Sequence, residues 1–218
     1  MPMKRRQFTL QAAAVLAPAL LGGPVAWAQP ARPREGKDYL VLGKRAPVDA
    51  PAGKIEVIEF FWYSCPHCNA FEPALEAWVK NLPKDVSFRR VPVAFRDDFA
   101  PQQRLFYTLD ALNKVDEYQA KVFRAVHVER LPLTSDEAIL AWAGKQGFDP
   151  AKFAEIYRSF SVASKLRRAV QLQDAYKVEG VPALGIAGRY YTDGTLAGSM
   201  ERALQVADFL IAEARKAR

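Results

Sequence analysis

Residues 55–63, Ile-Glu-Val-Ile-Glu-Phe-Phe-Trp-Tyr, constrain the fold of this chain more than any other stretch. A β-branched and aromatic run that is nearly all apolar suits a central strand buried on both faces. It leads straight into Ser64-Cys65-Pro66-His67-Cys68, where the pattern turns helical. Pro66 takes the first-turn position, at which a missing N–H costs nothing. Phe71, Leu75, Trp78, Val79 and Leu82 then keep a helical rhythm.

Around this strand and helix the sequence predicts an edge strand at 39–42, a turn-rich connector at 47–53 and a second strand at 86–93. From about 100 to 177 the texture is helical only, with segments at 101–112, 117–128, 136–146, 150–159 and 162–177. Ser135, Asp149 before Pro150, and Ser161 read as helix caps, and Gly147 as a glycine stop. Strands return at 183–187 and 189–192, with turns at Gly188 and at Asp193-Gly194. A last amphipathic helix at 200–216 starts from Ser199. The order predicts an α/β core with an all-helical insertion in its middle, forming one unit and not two independent domains. Half of the 218 residues are apolar, enough for a hydrophobic core without disulfide staples.

The first 28 residues read as a secretory signal. Lys4, Arg5 and Arg6 form a positive head, an apolar stretch follows, and Ala26-Trp27-Ala28 offers a small-residue cleavage site. The unbroken apolar run from Ala12 to Leu21 contains Pro18 and falls short of the ~20 residues a membrane span needs. The mature chain is expected from about Gln29, after export. Arg5-Arg6-Gln7-Phe8-Thr9-Leu10 also fits a twin-arginine signal, so the export route stays open. Loss of the three leader cations lowers the net charge from +7 to +4, 28 basic against 24 acidic residues. That balance, with no basic cluster interleaved with aromatics, argues against nucleic-acid binding.

Two cysteines in an exported chain would ordinarily suggest a structural disulfide. A bridge between Cys65 and Cys68 closes too small a loop to stabilise much, so a bond that opens and closes is the better reading. Exchange needs an attacking thiolate and a second thiol close by. At a helix start the partial positive charge and free N–H groups favour an anion on Cys65. Cys65 is thus the expected nucleophile and Cys68 the resolving thiol. Pro66 stiffens the turn, and His67 adds a donor or a charge that stabilises the thiolate. A stabilised reduced form makes the disulfide a better oxidant.

The rival chemistry is metal binding. A structural zinc site needs four ligands, and beyond the pair the chain has only His67 and His127, the latter read as an ordinary helix-face histidine. No metal and no cofactor are therefore expected. Glu59 is out of keeping on an apolar strand. Two readings stand: a buried carboxylate that relays the proton of Cys68, or a strand-end glutamate reaching solvent or pairing with Arg89 or Arg90. Val181-Pro182 suits a turn into a strand, and most such bonds are trans.

Glu59-Phe60-Phe61-Trp62-Tyr63-Ser64-Cys65-Pro66-His67-Cys68, Gly180-Val181-Pro182-Ala183 and the helical block between them together resemble the DsbA family of periplasmic thiol:disulfide interchange proteins. The resemblance covers essentially the whole mature chain. It implies a thioredoxin-like fold, a central mixed sheet flanked by helices, with residues 29–99 and 178–218 forming the thioredoxin-like part and 100–177 the insertion. It implies an oxidase that donates the Cys65–Cys68 disulfide to reduced, unfolded exported polypeptides. Cys65 would form the mixed disulfide and Cys68 would resolve it. Glu59 would be the buried carboxylate, with Arg89 or Arg90 as its basic partner. Pro182 would be cis against the pair, with the Val181 backbone pairing with extended substrate. A quinone-linked inner-membrane partner of the DsbB type would reoxidise the pair, and a monomer is expected. The alternatives are a reductase or isomerase of the same fold, or a chaperone or metal-binding module using the surface only.

Overall fold

The structure is a computed structural model that describes residues 31–217, so the predicted signal at 1–28 lies outside the described residues. The apolar run forms β2, Ile55–Phe61, with all seven residues buried. On one side it pairs in parallel with β3, Val86–Pro92. On the other it pairs antiparallel with β4, Ala183–Ile186. β5, Tyr190–Asp193, and the short β1, Leu40–Val41, complete a mixed sheet in the order β1-β5-β4-β2-β3. A parallel pair needs a crossover, and α1, Pro66–Lys80, supplies it between β2 and β3. Between β3 and β4 run five helices: α2 Ala100–Ala111, α3 Val115–His127, α4 Asp136–Lys145, α5 Pro150–Tyr157 and α6 Phe160–Tyr176. After β5 come a single turn, α7 at Gly194–Ala197, and α8 at Met200–Lys216.

The strand's two-residue period sorts its side chains onto two layers. Ile55 and Val57 join a cluster with Phe71 and Leu75 of α1 and Ala207 and Leu210 of α8. Ile58 and Phe60 belong to the other cluster, with Leu105 of α2 and Leu172 and Tyr176 of α6. Val57, Ile58, Phe60 and Phe61 are fully buried. At about 1.5–3 kcal/mol for each such side chain, they offset the cost of taking Glu56 and Glu59 inside on the same strand.

The structure corrects several local expectations. β2 stops at Phe61, because Trp62 to Cys65 form a turn closed by the Cys65 N–H donating to the Trp62 carbonyl at 3.0 Å. Helix α6 starts two residues earlier than expected, capped by the Ser159 hydroxyl, which accepts from the Val162 N–H, and not by Ser161. Asp193-Gly194 is no simple turn: the Asp193 carboxylate accepts from the Leu196 N–H and caps α7. Ser135, Asp149 and Ser199 cap their helices as the sequence suggested.

The β4–β5 hairpin packs against α6 through one glycine. A Cβ on Gly185 would lie 2.4 Å from the Tyr176 ring. That ring cannot swing away freely, because its oxygen accepts from the Gly188 N–H at 3.0 Å and the ring packs at a tilt against Phe60, with centroids 5.2 Å apart. Gly185→Ala should therefore overpack this contact and destabilise the protein by about 1–3 kcal/mol. Urea unfolding reads this directly, and an unchanged midpoint would show that the Tyr176 contact is loose.

Candidate active site

α1 begins without a Ser, Thr, Asp or Asn cap. Cys65 stands at the N-cap with extended backbone (φ −78°, ψ 117°), Pro66 follows in the first turn, and the thiol makes no cap hydrogen bond. The first-turn N–H groups are thus left for an anion. Cys65 is 8 % exposed and Cys68, one turn in, is fully buried, while Pro66 and His67 lie open to solvent. Both cysteines are free thiols. The Cys65 Sγ donates to the Val181 carbonyl at 3.4 Å. That contact brings the loop before β4 to the start of α1, and the Val181–Pro182 peptide in this loop is cis.

The two sulfurs have opposite environments. Cys65 is lowered from 9.0 to about 6, first by the hydrogen bond from the Cys68 thiol, then by the N–H groups of Cys68 and His67 and the His67 charge, with burial opposing. Burial pushes Cys68 far up, and the charges of Cys65 and Glu59 add to it. A site with these two sulfurs holds its negative charge on the outer one.

Beneath the pair lies a buried charge cluster. Glu59 is fully buried, and the Arg90 Nε donates to its Oε2 at 3.0 Å. Arg90, its register neighbour on β3, also pairs through Nη2 with Glu72 of α1. The second oxygens of both carboxylates, Glu59 Oε1 and Glu72 Oε2, have no hydrogen-bond partner among the described residues. One cation cannot balance two buried carboxylates, so the pair retains a proton near neutrality. Burial raises Glu59 to about 8, with Arg90 opposing and Glu72 adding. Of the sequence expectations for Glu59, burial holds and solvent exposure does not, and Arg90 is its basic partner. Arg89 points to the opposite face of the sheet, where its Nε donates to Glu56 at 2.9 Å.

Sequence reasoning missed Glu72 and Glu56. Glu72 follows Cys68 by four residues, one helical turn on the same face, and that spacing could have found it. His127 also proves more than a helix-face residue: its Nε2 lies 2.8 Å from the Tyr63 carbonyl, and its ring stacks on Phe123. Among the described residues no group of three or more His, Cys, Asp or Glu is placed to hold a metal.

A mixed sheet of this topology, with a dithiol at the start of its crossover helix and a cis-proline loop against it, defines a thioredoxin-type thiol–disulfide oxidoreductase. The family of DSBA-like thioredoxin domains matches residues 56–205. The thiol:disulfide interchange protein DsbA of Burkholderia cepacia is 44% identical over 191 residues, 88% of this chain and 90% of its own length. That of Bordetella parapertussis is 45% identical over 216 residues, 98% of this chain and all of its own. The crystal structure of Pseudomonas aeruginosa DsbA superposes with a TM-score of 0.79 at 39% identity, covering 84% of this chain and 94% of that one. The chain belongs to the DSBA-like thioredoxin domain family.

The raised carboxyl has a consequence for stability. A proton held up to about pH 8 in the fold is released near 4.5 when the chain unfolds. The folded state therefore binds more protons in that window, and Glu59 makes stability fall as pH rises through it. In the oxidised protein, whose cysteines do not titrate, Glu59→Gln should gain stability over the wild type progressively from pH 5 to 8. Urea midpoints for the two proteins that run parallel across this range would contradict a raised Glu59.

Proposed function

We propose that this thiol–disulfide oxidoreductase works as a periplasmic oxidase, passing the Cys65–Cys68 disulfide to reduced, newly exported polypeptides. The observation that carries the reading is the placement of the sulfurs: Cys65 stands at the N-cap of α1 beside uncapped first-turn N–H groups, which favour its thiolate, and Cys68 lies one turn in and fully buried, where a thiolate is disfavoured. A disulfide whose reduced form is stabilised is given up readily.

The exchange runs in two displacements. A substrate thiolate attacks the Cys65 Sγ, the Cys65–Cys68 bond breaks, and Cys68 leaves as a thiolate that takes up a proton. A second substrate thiolate then attacks the substrate sulfur of the mixed disulfide and expels Cys65 as a thiolate. Two substrate thiols are oxidised, their two electrons end on Cys65 and Cys68, and one new substrate disulfide forms. In the reverse direction Cys68 attacks and resolves the mixed disulfide. Glu59, holding a proton near neutrality beside Arg90, is the group we assign to supply or receive the Cys68 proton. Pro66 keeps the first turn rigid, and exposed His67 adds charge beside Cys65. The cis Val181–Pro182 loop offers the Val181 carbonyl to the backbone of an extended substrate once the Cys65 thiol no longer occupies it. Reoxidation falls to a quinone-linked inner-membrane partner of the DsbB type, and no metal or cofactor enters the exchange. Among the described residues no helix is long and apolar enough to cross a membrane. Residues 1–28 read as the export signal.

The deciding measurement is the equilibrium of the pair with graded glutathione buffers, on protein beginning at Gln29. The expected result is a pair that stays reduced until the buffer is strongly oxidising. A pair already oxidised in reducing buffer would point to a reductase instead. The thiolate also sets a pH signature. A group lowered from 9.0 to about 6 contributes stability that is complete above pH 9 and lost as pH falls through 6. The reduced protein should gain stability relative to the oxidised one between pH 6 and 9, and urea midpoints of the two forms test this.

A further inference from the structure

The turn that delivers Cys65 to α1 spans Trp62 to Cys65, and its central peptide unit joins Tyr63 to Ser64. In a four-residue turn this is the unit whose flip interconverts types I and II and redirects the residue that follows. Here both ends of that one unit are taken by the helices inserted between β3 and β4. Its carbonyl accepts from the His127 Nε2 of α3 at 2.8 Å. Its N–H donates to the Gln102 Oε1 of α2 at 3.2 Å. The two side chains flanking the unit are held by the same helices. Tyr63 OH donates to the Gln119 Oε1 of α3 at 2.7 Å, and the Gln102 Nε2 donates to Ser64 Oγ at 2.7 Å. Gln102 and Gln119 are 2 % and 1 % exposed, so these bonds compete little with water. Ahead of the turn, Trp62 stacks on Phe99 with ring centroids 3.9 Å apart.

We propose that His127 and Gln102 are positioning residues for the disulfide exchange: by fixing the Tyr63–Ser64 peptide plane from both ends, they set where Cys65 sits against the first-turn N–H groups of α1 and the Val181 carbonyl. The insertion thereby acts on the reactive sulfur without touching it. A carbonyl can only accept, so His127 keeps its proton on Nε2 toward Tyr63. Loss of either bond frees the plane to rotate, and the sulfur loses its fixed relation to the N–H groups that favour its anion. This rests on the reading of Cys65 as the reactive sulfur that is stabilised as a thiolate.

The test compares His127→Phe and Gln102→Leu, which keep side-chain bulk but remove the bonds to the turn. The control is Tyr157→Phe, which breaks bonds to Asp136 and the Pro101 carbonyl inside the insertion and leaves the turn alone. Two quantities are read for each protein: the Cys65 thiolate midpoint, by the ultraviolet absorbance of the thiolate, and the equilibrium constant with glutathione. Each turn variant should raise the midpoint by about half a unit or more and make the disulfide about threefold harder to reduce, the size expected for one lost hydrogen bond. Tyr157→Phe should match the wild type in both. His127→Gln, whose amide N–H can replace the imidazole donor, should restore both. If one turn variant fails to fold, the other carries the test alone. Wild-type values in the turn variants that fold overturn the proposal, and so does an equal shift in Tyr157→Phe or in His127→Gln. An ordinary thiol midpoint in the wild type would instead sink the reading of Cys65 itself. A low wild-type midpoint that the variants leave unmoved sinks only the positioning role.

Discussion

Burial of β2 on both faces is the constraint from which the rest of this molecule follows. A strand covered on both sides must sit in the middle of the sheet, with helices above and below. Its end then opens onto the edge of the core, where the turn from Trp62 hands the chain to α1. The dithiol is placed there because the strand and helix must meet there. The helix N-terminus points its free N–H groups at Cys65, while one turn further in Cys68 is carried into the apolar interior.

The same burial explains the charge cluster. β2 brings Glu56 and Glu59 inside, three residues apart and therefore on opposite faces. Each finds an arginine from the neighbouring strand: Arg90 on the side of α1, Arg89 on the other. Two adjacent arginines on β3 thus serve two different layers. Glu72 joins Arg90 from α1 and leaves that side one cation short. Burial first, and the second carboxylate after it, hold Glu59 above the usual carboxylate range, with Arg90 opposing. A fully compensated pair would be more comfortable and chemically inert.

Replacing a cap by a sulfur is the corresponding device at the surface of the site. A Ser or Asp side chain at that N-cap would satisfy the first-turn N–H groups permanently. Cys65 satisfies them only when ionised, so the helix favours one redox state of the pair. The insertion contributes from outside, holding the turn before Cys65 through buried amides and an imidazole that no local sequence rule would connect to it.

How much of this was legible in the sequence depends on the range of the interaction. The element order, the helix start at Pro66, the caps at Ser135, Asp149 and Ser199, and the dithiol itself follow from local periodicity, backbone preferences and the spacing of two sulfurs. These involve residues a few positions apart. Glu59 stood out because a charge on an apolar strand is costly wherever the strand packs. The tertiary structure alone decided that Arg90 and not Arg89 is its partner, since strand register selects the face. It alone brought Gln102 to Ser64 across 38 positions and His127 to Tyr63 across 64, whereas the approach of Val181 to Cys65 across 116 was expected only through the family resemblance. Contacts of that span are fixed by how sheet and helices pack, and a linear pattern carries no record of that packing.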